Sequence, residues 1–297
     1  MIDRSAIDVK FFPVPEGLSD CLTTIYRIQV DLPECEAVSD ALIPEWGNIR
    51  FMCDGGATIA SLDGKPFGRG SFVATGPTSR PLSVALYRSR LWGFGLLPLG
   101  WASFVRTAAS KLADAAHEGQ AEPAVVHFAE LAATLSDSAG DDWQDYRSIC
   151  QALGQHARRP RDEERVRNLQ EAMADPYLLH IPDFADRAGI SVRTLERMSL
   201  KYFGFSPNVI LRRQRLIRSL AAFTNDGEAN WSEAIDRHYH DQPHFVREFH
   251  QFMGMSPSDY ADRPHPIMRA FMENRQKVWG DPARKAPSPE SVQASGA

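Results

Sequence analysis

The sequence has 297 residues, of which 43% are hydrophobic and 24% are charged. This is the composition of an ordinary soluble globular protein, with about two domains and a core large enough to need no covalent staples. No run approaches the ~18 apolar residues of a membrane span, and the first residues lack the apolar stretch of a signal peptide. The four cysteines show no CxxC spacing, so we expect reduced thiols in a cytoplasmic protein without membrane association.

Charge is distributed unequally along the chain. Residues 1–157 contain 12 basic and 19 acidic residues, whereas residues 191–218 contain seven basic residues and one acidic residue. The overall acidity argues against non-specific coating of nucleic acid. The short basic window is therefore the first indication of a localised function.

Residues 10–100 contain short β-forming runs separated by turn-forming clusters such as Asp54-Gly55-Gly56. No helical pattern lies between the runs, which predicts an antiparallel β barrel or sandwich. The six predicted strands are Thr24–Val30, Asn48–Cys53, Ala57–Leu62, Ser71–Thr75, Leu82–Tyr87 and Leu91–Leu96.

Helical patterns follow from about residue 101. Apolar residues recur at helical spacing over 124–135, after Pro123 as a first-turn residue, and another helix is predicted over 142–156. The polar run 158–164 predicts a boundary, and residues 165–263 are almost entirely helical in pattern. We therefore predict an α+β chain with a β-rich domain and trailing helices over 1–157, an all-α domain over 158–270 and a disordered tail over 280–297.

Residues 181–204 have the spacing of a helix-turn-helix unit. Ala185 is small enough for a helix crossing, Gly189 suits a sharp turn, and Leu195 points back to the core. Ser191 is a good N-cap for the second helix, which leaves its basic residues away from the core. Arginine can donate two parallel hydrogen bonds to guanine and lysine can neutralise phosphate, but a helical hairpin with a solvated basic face has the same pattern.

The next helix, predicted to begin at Pro207, carries a cluster of basic residues. They either form a stripe that faces phosphates or are simply solvated, and the pattern does not decide between these. The cluster consists of Arg212, Arg213, Arg215 and Arg218.

The helix-turn-helix pattern repeats after a break at Asn225-Asp-Gly227. A short helix at 231–235 precedes a second helix over 242–252, which Asp241 caps and Gly254 follows. Both units close on Gly-x-Ser-Pro, and Gly204 and Gly254 lie 50 residues apart. Two tandem units, at about 181–204 and 231–254, are therefore predicted.

These residues resemble the DNA-binding domain of the AraC family of bacterial transcription regulators over about 165–263, most specifically over 239–257. The resemblance implies two units on one long central helix that enter successive major-groove faces of a promoter duplex. It also implies DNA contacts from both units and the central helix. The predicted contact residues are Arg193, Thr194, Glu196, Arg197, Lys201, Arg212, Gln242, Pro243, His244 and Arg247.

Two residues depart from the family pattern. His238 stands where a glycine usually precedes the aromatic residue of the second turn, and Ser199 replaces an aromatic residue after the first recognition helix. The His238 departure questions the turn geometry, so we expect looser DNA contact by the second unit.

The N-terminal part is similar to the cupin-like sensor domains of some of these regulators, on the residues 76–81 and 96–101. The resemblance implies an effector site or a homodimer surface, the latter on the helices after residue 101. Four side chains either line an effector pocket or belong to the core: Arg80, Trp46, Trp92 and Tyr87.

The sequence does not support an enzyme, a cofactor or a metal site. Residues 1–116 contain no histidine, which a metal-dependent cupin would need. His238, His240 and His244 lack the partners of a zinc site, and no nucleotide-binding or nucleophile motif occurs. We therefore predict a sequence-specific DNA-binding transcription regulator, modulated by a small-molecule effector or partner, with RNA polymerase contact left open. The alternative is a ligand- or partner-binding interaction module that no longer binds DNA strongly.

Overall fold

The computed structural model describes residues 6–59, 67–225 and 231–279. It confirms the α+β class, with an antiparallel sheet followed by helices. The strands are β1 (Ile7–Phe12), β2 (Leu22–Val30), β3 (Val38–Leu42), β4 (Gly47–Ile59), β5 (Phe67–Gly68), β6 (Phe72–Thr75), β7 (Leu82–Leu96) and β8 (Ala116–Glu118). The helices are α1 (Pro98–Phe104), α2 (Ala129–Ser136), α3 (Asp142–His156), α4 (Glu163–Met173), α5 (Ile181–Arg187), α6 (Val192–Met198), α7 (Pro207–Asn225), α8 (Trp231–Ala234), α9 (Gln242–Met253), α10 (Pro257–Ala261) and α11 (Pro266–Trp279).

The strands form one sheet in the order β1-β2-β7-β4-β6-β8, with β3 paired to β7 and β5 paired to β4. Two long strands organise it. β4 is one continuous strand where two short strands, at 48–53 and 57–62, were predicted around a turn at Asp54-Gly55-Gly56. β7 is likewise one strand where two were predicted, at 82–87 and 91–96. The predicted turn is therefore wrong, because these residues form register shifts within β4. Gly55 has φ +68, and any side chain there would run into the Arg88 carbonyl.

β1 and β3 were not predicted from the sequence. β3 reads Val-Ser-Asp-Ala-Leu, which has weak β propensity, and it forms because every one of its residues is in register with β7. β1 likewise pairs along its whole length with β2. Pairing with a partner strand therefore decides both elements: β1 pairs with the next strand in the chain, and β3 pairs with the more distant β7.

The helical expectations are mostly confirmed, since the helix predicted over 142–156 is α3. The helix expected directly after Pro123 begins later, with a 3-10 turn at Val126–Phe128 that leads into α2. The predicted tail over 280–297 and the break at Asp226-Gly227 lie outside the described residues.

The described residues form three apolar clusters. The first joins one sheet face to α1–α6, and it runs without interruption from Leu153 of α3 to Val166 of α4, across the predicted domain boundary. The second covers the other sheet face and includes Ile267 of α11. The third lies between α7, α9 and α10. The helix-turn-helix units at 181–204 and 231–254 are therefore packed into different clusters.

Candidate nucleic-acid interface

The first unit is built by local signals. Ala185 and Leu195 are 2% and 0% exposed at the crossing of α5 and α6. Between the helices Gly189 has φ +66, in the left-handed region. The Ser191 hydroxyl accepts a hydrogen bond from the Thr194 amide and so caps α6. The predicted roles of Ala185, Gly189, Ser191 and Leu195 are confirmed.

Gly189 provides a test of this turn. A Cβ at Gly189 would meet no atom within 4 Å, so a substitution costs only backbone strain. We expect Gly189→Ala to lower the free energy of unfolding by about 1–2 kcal/mol, and Gly189→Val by more because valine is β-branched. The matched control is Gly154→Ala in α3, which also points into open space but has no positive φ, and should stabilise the chain by about 0.5–1 kcal/mol. Denaturant unfolding of both variants measures this, and shifts of the same sign would contradict a strained turn.

The second unit reproduces the caps of the first. The Asp241 carboxylate accepts from the His244 amide at 2.7 Å, at the position that Ser191 occupies 50 residues earlier. Gly204 and Gly254 both adopt left-handed conformations after the recognition helices, with φ of +87 and +69. Ser256 and Asp259 form a capping box at α10.

His238 closes the second turn without a positive φ, so its backbone does not adopt the left-handed conformation that a glycine would allow. Its backbone amide donates to Asp236 Oδ1 at 2.9 Å, and its ring Nδ1 lies 2.7 Å from the same oxygen. Burial raises the pKa of Asp236, but hydrogen bonds from His238 and Arg218 outweigh burial and hold it below its usual value. The second turn is therefore formed around Asp236.

Most predicted contact residues lie on the open sides of the recognition helices α6 and α9. On α6, Arg193, Glu196 and Arg197 are exposed and Thr194 is half-buried. On α9, Gln242, Pro243 and Arg247 are exposed, while His244 is half-buried with Nε2 3.9 Å from Glu248. No ion pair within the described parts of the chain engages Arg193, Arg197 or Arg247.

Lys201 and Arg212 differ from those residues because they already have partners. Lys201 Nζ donates to Asp162 Oδ2 at 3.2 Å, beside the Tyr202 hydroxyl. Arg212 donates to Glu248 at 2.6 Å and to Gln251 at 2.5 Å. A phosphate contact by either residue would have to share these acceptors.

The remaining arginines of α7 form neither a phosphate stripe nor a solvated face. Arg213 is 1% exposed, lies 3.8 Å over the Trp46 ring and donates to the Thr78 carbonyl at 2.9 Å, and burial lowers its pKa to about 9. Arg215 donates to both oxygens of Glu248, and Arg218 donates to Asp236. These side chains hold α7 to the loops before β4 and after β6 and to the second unit.

Glu248 is the residue that sequence reasoning missed. Its side chain is 1% exposed, at the position where the first unit has the buried Met198. Comparison of the two units at an offset of 50 residues shows this acid on a helix face that is otherwise apolar. That contrast is the signal that could have identified the ion pairs.

The predicted pocket residues of the N-terminal part do not line one pocket. Trp92 is 0% exposed in the core and donates to Asp145, while Trp46 lies under Arg213 and Arg80 is exposed. The core alternative is correct for Trp92.

A cleft of about 370 Å³ lies elsewhere. It opens between the small side chains of β3, β4 and β7 and the segment that follows the second unit, including Met255, Arg263 and His265. The alternating Ser39, Ala41 and Ser83, Ala85 of the paired strands could have indicated it.

Two features are absent from residues 6–59, 67–225 and 231–279. None of their helices combines the length and the apolar character that a bilayer crossing needs. Their His, Cys, Asp and Glu side chains form no group of three or more that could hold a metal ion.

Comparisons with known proteins address the same region. The sequence model of a helix-turn-helix domain family matches residues 184–263, and no curated protein matches the chain. Solved structures that resemble the chain include ToxT from Vibrio cholerae, at 9% identity and a TM-score of 0.45 over 86% of this chain and 97% of that one. ToxT bound to (E)-4-(8-methylnaphthalen-1-yl)but-3-enoic acid has 10% identity and a TM-score of 0.45 over 86% and 98% of the two chains. The AraC-like transcriptional activator CuxR has 14% identity and a TM-score of 0.29 over 72% and 86%.

The family match covers both units whose caps, turns and buried crossings are described above. The C-terminal part of this chain is therefore an AraC-type helix-turn-helix domain, the DNA-binding part of a transcription regulator.

Proposed function

We propose that α6 and α9 read two blocks of bases along one side of a promoter duplex. The observation that carries this proposal is the state of Arg197 and Arg247. They occupy the same position in the two units, both are exposed, and neither forms a salt bridge among the described residues, although the Arg197 charge contributes to the lowered pKa of Asp162. The arginines of α7, in contrast, are engaged by Glu248, by Asp236 and by the carbonyls of Glu45 and Thr78.

The exposed side chains suit distinct roles in this reading. Arg193, Arg197 and Arg247 can each donate two hydrogen bonds to a guanine edge, and Gln242 can pair in the same way with adenine. Thr194, Glu196, Pro243 and His244 border these groups and adjust base preference. Lys201 and Arg212 are phosphate contacts that share their present acceptors with the DNA.

The N-terminal domain adjusts this activity through the 370 Å³ cleft. Small side chains from β3, β4 and β7 line it on one side, and Arg263 contributes a positive charge to its lining. A small effector with an apolar body and an anionic group fits this chemistry. Occupancy would act on the segment that leaves the second unit.

Selection of bound sequences from random duplex DNA tests the proposal. The full chain at about 150 mM salt should enrich a motif with two blocks about 10 bp apart. A single block would show that only one unit reads bases. Absence of any enrichment would favour the interaction module that no longer binds DNA.

The salt dependence of the selected complex provides a second measurement. Neutralising about five phosphates predicts a slope near −4 to −5 in a plot of log affinity against log salt concentration. A flat response would contradict binding along the phosphate backbone.

A further inference from the structure

The two helix-turn-helix units are held by different parts of the molecule. The first unit shares the cluster of the sheet and α1–α4, through residues such as Phe184 and Phe203. The second unit has its own cluster, and among the described residues before α7 only Ile43, in the loop after β3, packs on it. The chain then leaves the second unit through α10 and returns to the sheet as α11. The position of α9 relative to α6 therefore depends on two connections: α7, which contributes Ile210 to the first cluster and Leu216 to the third, and the attachment of α11 to the sheet.

α11 docks on the sheet by its apolar side. Ile267 is 2% exposed within the cluster of that sheet face. The ring of Phe271 meets Phe11 and Tyr26 edge-on, at centroid distances of 4.8 and 5.1 Å. These contacts join α11 to β1 and β2.

Asp40 of β3 caps α11, although it lies more than 220 residues away along the chain. Its carboxylate is 1% exposed and accepts from the amides of Ile267 and Met268, both at 2.9 Å. These amides belong to the first turn of α11 and have no acceptor within the helix. A cap normally comes from the residue before a helix, so this cap makes α11 depend on the sheet.

His265 extends the contact from Asp40 to the second unit. Its Nδ1 lies 3.2 Å from Asp40 Oδ1 and its Nε2 lies 2.8 Å from the Tyr260 carbonyl. The carbonyl is only an acceptor, and so is the carboxylate when ionised, so a doubly protonated ring satisfies both contacts. The ring also stacks on Tyr260, which meets Phe249 of α9 at 5.8 Å.

We propose that Asp40 and His265 are positioning residues for DNA recognition, which clasp the second unit to the sheet so that α9 is held in place relative to α6. This inference rests on the proposed two-block reading. Because both recognition helices must engage one duplex at the same time, a freed second unit loses effective concentration at its block. The first unit is packed in another cluster, so its own affinity is unaffected by the clasp.

The contacts of Asp40 with His265 and with the start of α11, here called the clasp, should have a stability that depends on pH with a predictable sign. The groups that face His265 are Asp40 from β3, Tyr260 from α10 and Arg269 from α11, and Arg263 lines the same cleft. Burial lowers the pKa of His265, but the hydrogen bonds to Asp40 and Tyr260 outweigh burial and raise it above its usual value. A raised folded pKa means that the stabilisation is complete below the unfolded value and is lost as pH rises through the folded value.

Hydrogen exchange and DNA binding of the full chain test the clasp. We expect Asp40→Ala to speed exchange of the amides at the start of α11, and to weaken binding to the two-block duplex about tenfold. Binding to a duplex with a scrambled second block should not change. Asp40→Asn keeps an acceptor for the two amides but removes the charge, so α11 should stay protected while the pH dependence of its exchange flattens. The matched control is Asp31→Asn, an exposed acid just after β2, which should change neither measurement.

Unchanged or tighter binding of Asp40→Ala to the two-block duplex would overturn the proposal, and so would full protection of α11 in that variant. Should Asp40→Ala fail to fold, the comparison of the wild type with Asp40→Asn decides, because equal pH profiles would also overturn it. Failure of the proposed function looks different. In that case the wild type would show no preference for a two-block duplex, while the exchange measurements would still report on the clasp without DNA.

Discussion

Glu248→Ala is expected to lower the free energy of unfolding of the second unit by about 3 kcal/mol, the lower end of the range for breaking a buried ion pair. The Glu248 carboxylate is 1% exposed and accepts from Arg212 and from Arg215, each at 2.6 Å. Alanine would leave two guanidinium groups facing an apolar helix surface. The arginine side chains are 28% and 14% exposed, so water can recover part of their solvation.

Two matched variants separate charge from packing. Glu248→Met introduces the residue type that the first unit has at the equivalent Met198, so it should restore packing and cost less than alanine. Glu196→Ala removes an exposed acid from α6 and should change the free energy of unfolding by less than about 0.5 kcal/mol. Denaturant unfolding together with amide exchange of α9 measures all three. Equal effects of Glu248→Ala and Glu196→Ala would show that the ion pairs do not hold α9 to α7.

The double variant Arg197→Ala with Arg247→Ala is expected to weaken binding to the two-block duplex by about 2–6 kcal/mol. Each bidentate arginine contributes about 1–3 kcal/mol of discrimination, and the two lie on separate helices, so their effects should add. Each single variant should lose base preference at one position of its own block. Binding titrations against duplexes with single base changes resolve the two contributions.

Arg88→Ala is the control for this pair, because Arg88 is an exposed arginine of β7, 3.5 Å from Asp31 and outside both units. It should leave base preference unchanged. A uniform weakening of all sequences by Arg197→Ala would assign that side chain to phosphate and not to bases. In that case the first block would have to be read by Arg193 and its neighbours.

The helix-turn-helix units could be predicted from the sequence, because the turn and cap residues of each unit lie within about 20 consecutive residues. Gly189 was predictable because the turn needs a left-handed residue, and Ser191 and Asp241 because the first amides of a helix need an acceptor nearby in the chain. The repeat of these signals after 50 residues predicted both units. The same reasoning questioned the turn at His238. In the structure the Asp236 carboxylate accepts a hydrogen bond from the His238 amide and lies against the His238 ring, and these contacts hold the turn.

Features that join distant segments were decided only by the tertiary structure. The predicted turn at Gly55 became a register shift in β4, because β7 offers a partner along both sides of it. The arginines of α7 could not be assigned from the sequence, since Glu248 reaches them only when α9 packs on α7. Asp40 lies in a weak strand, yet it caps a helix that begins at Pro266. Local caps such as Ser191 and turns such as that at Gly189 satisfy backbone groups from neighbouring residues, whereas the Asp40 cap and the buried Glu248 find their partners only after the chain has folded.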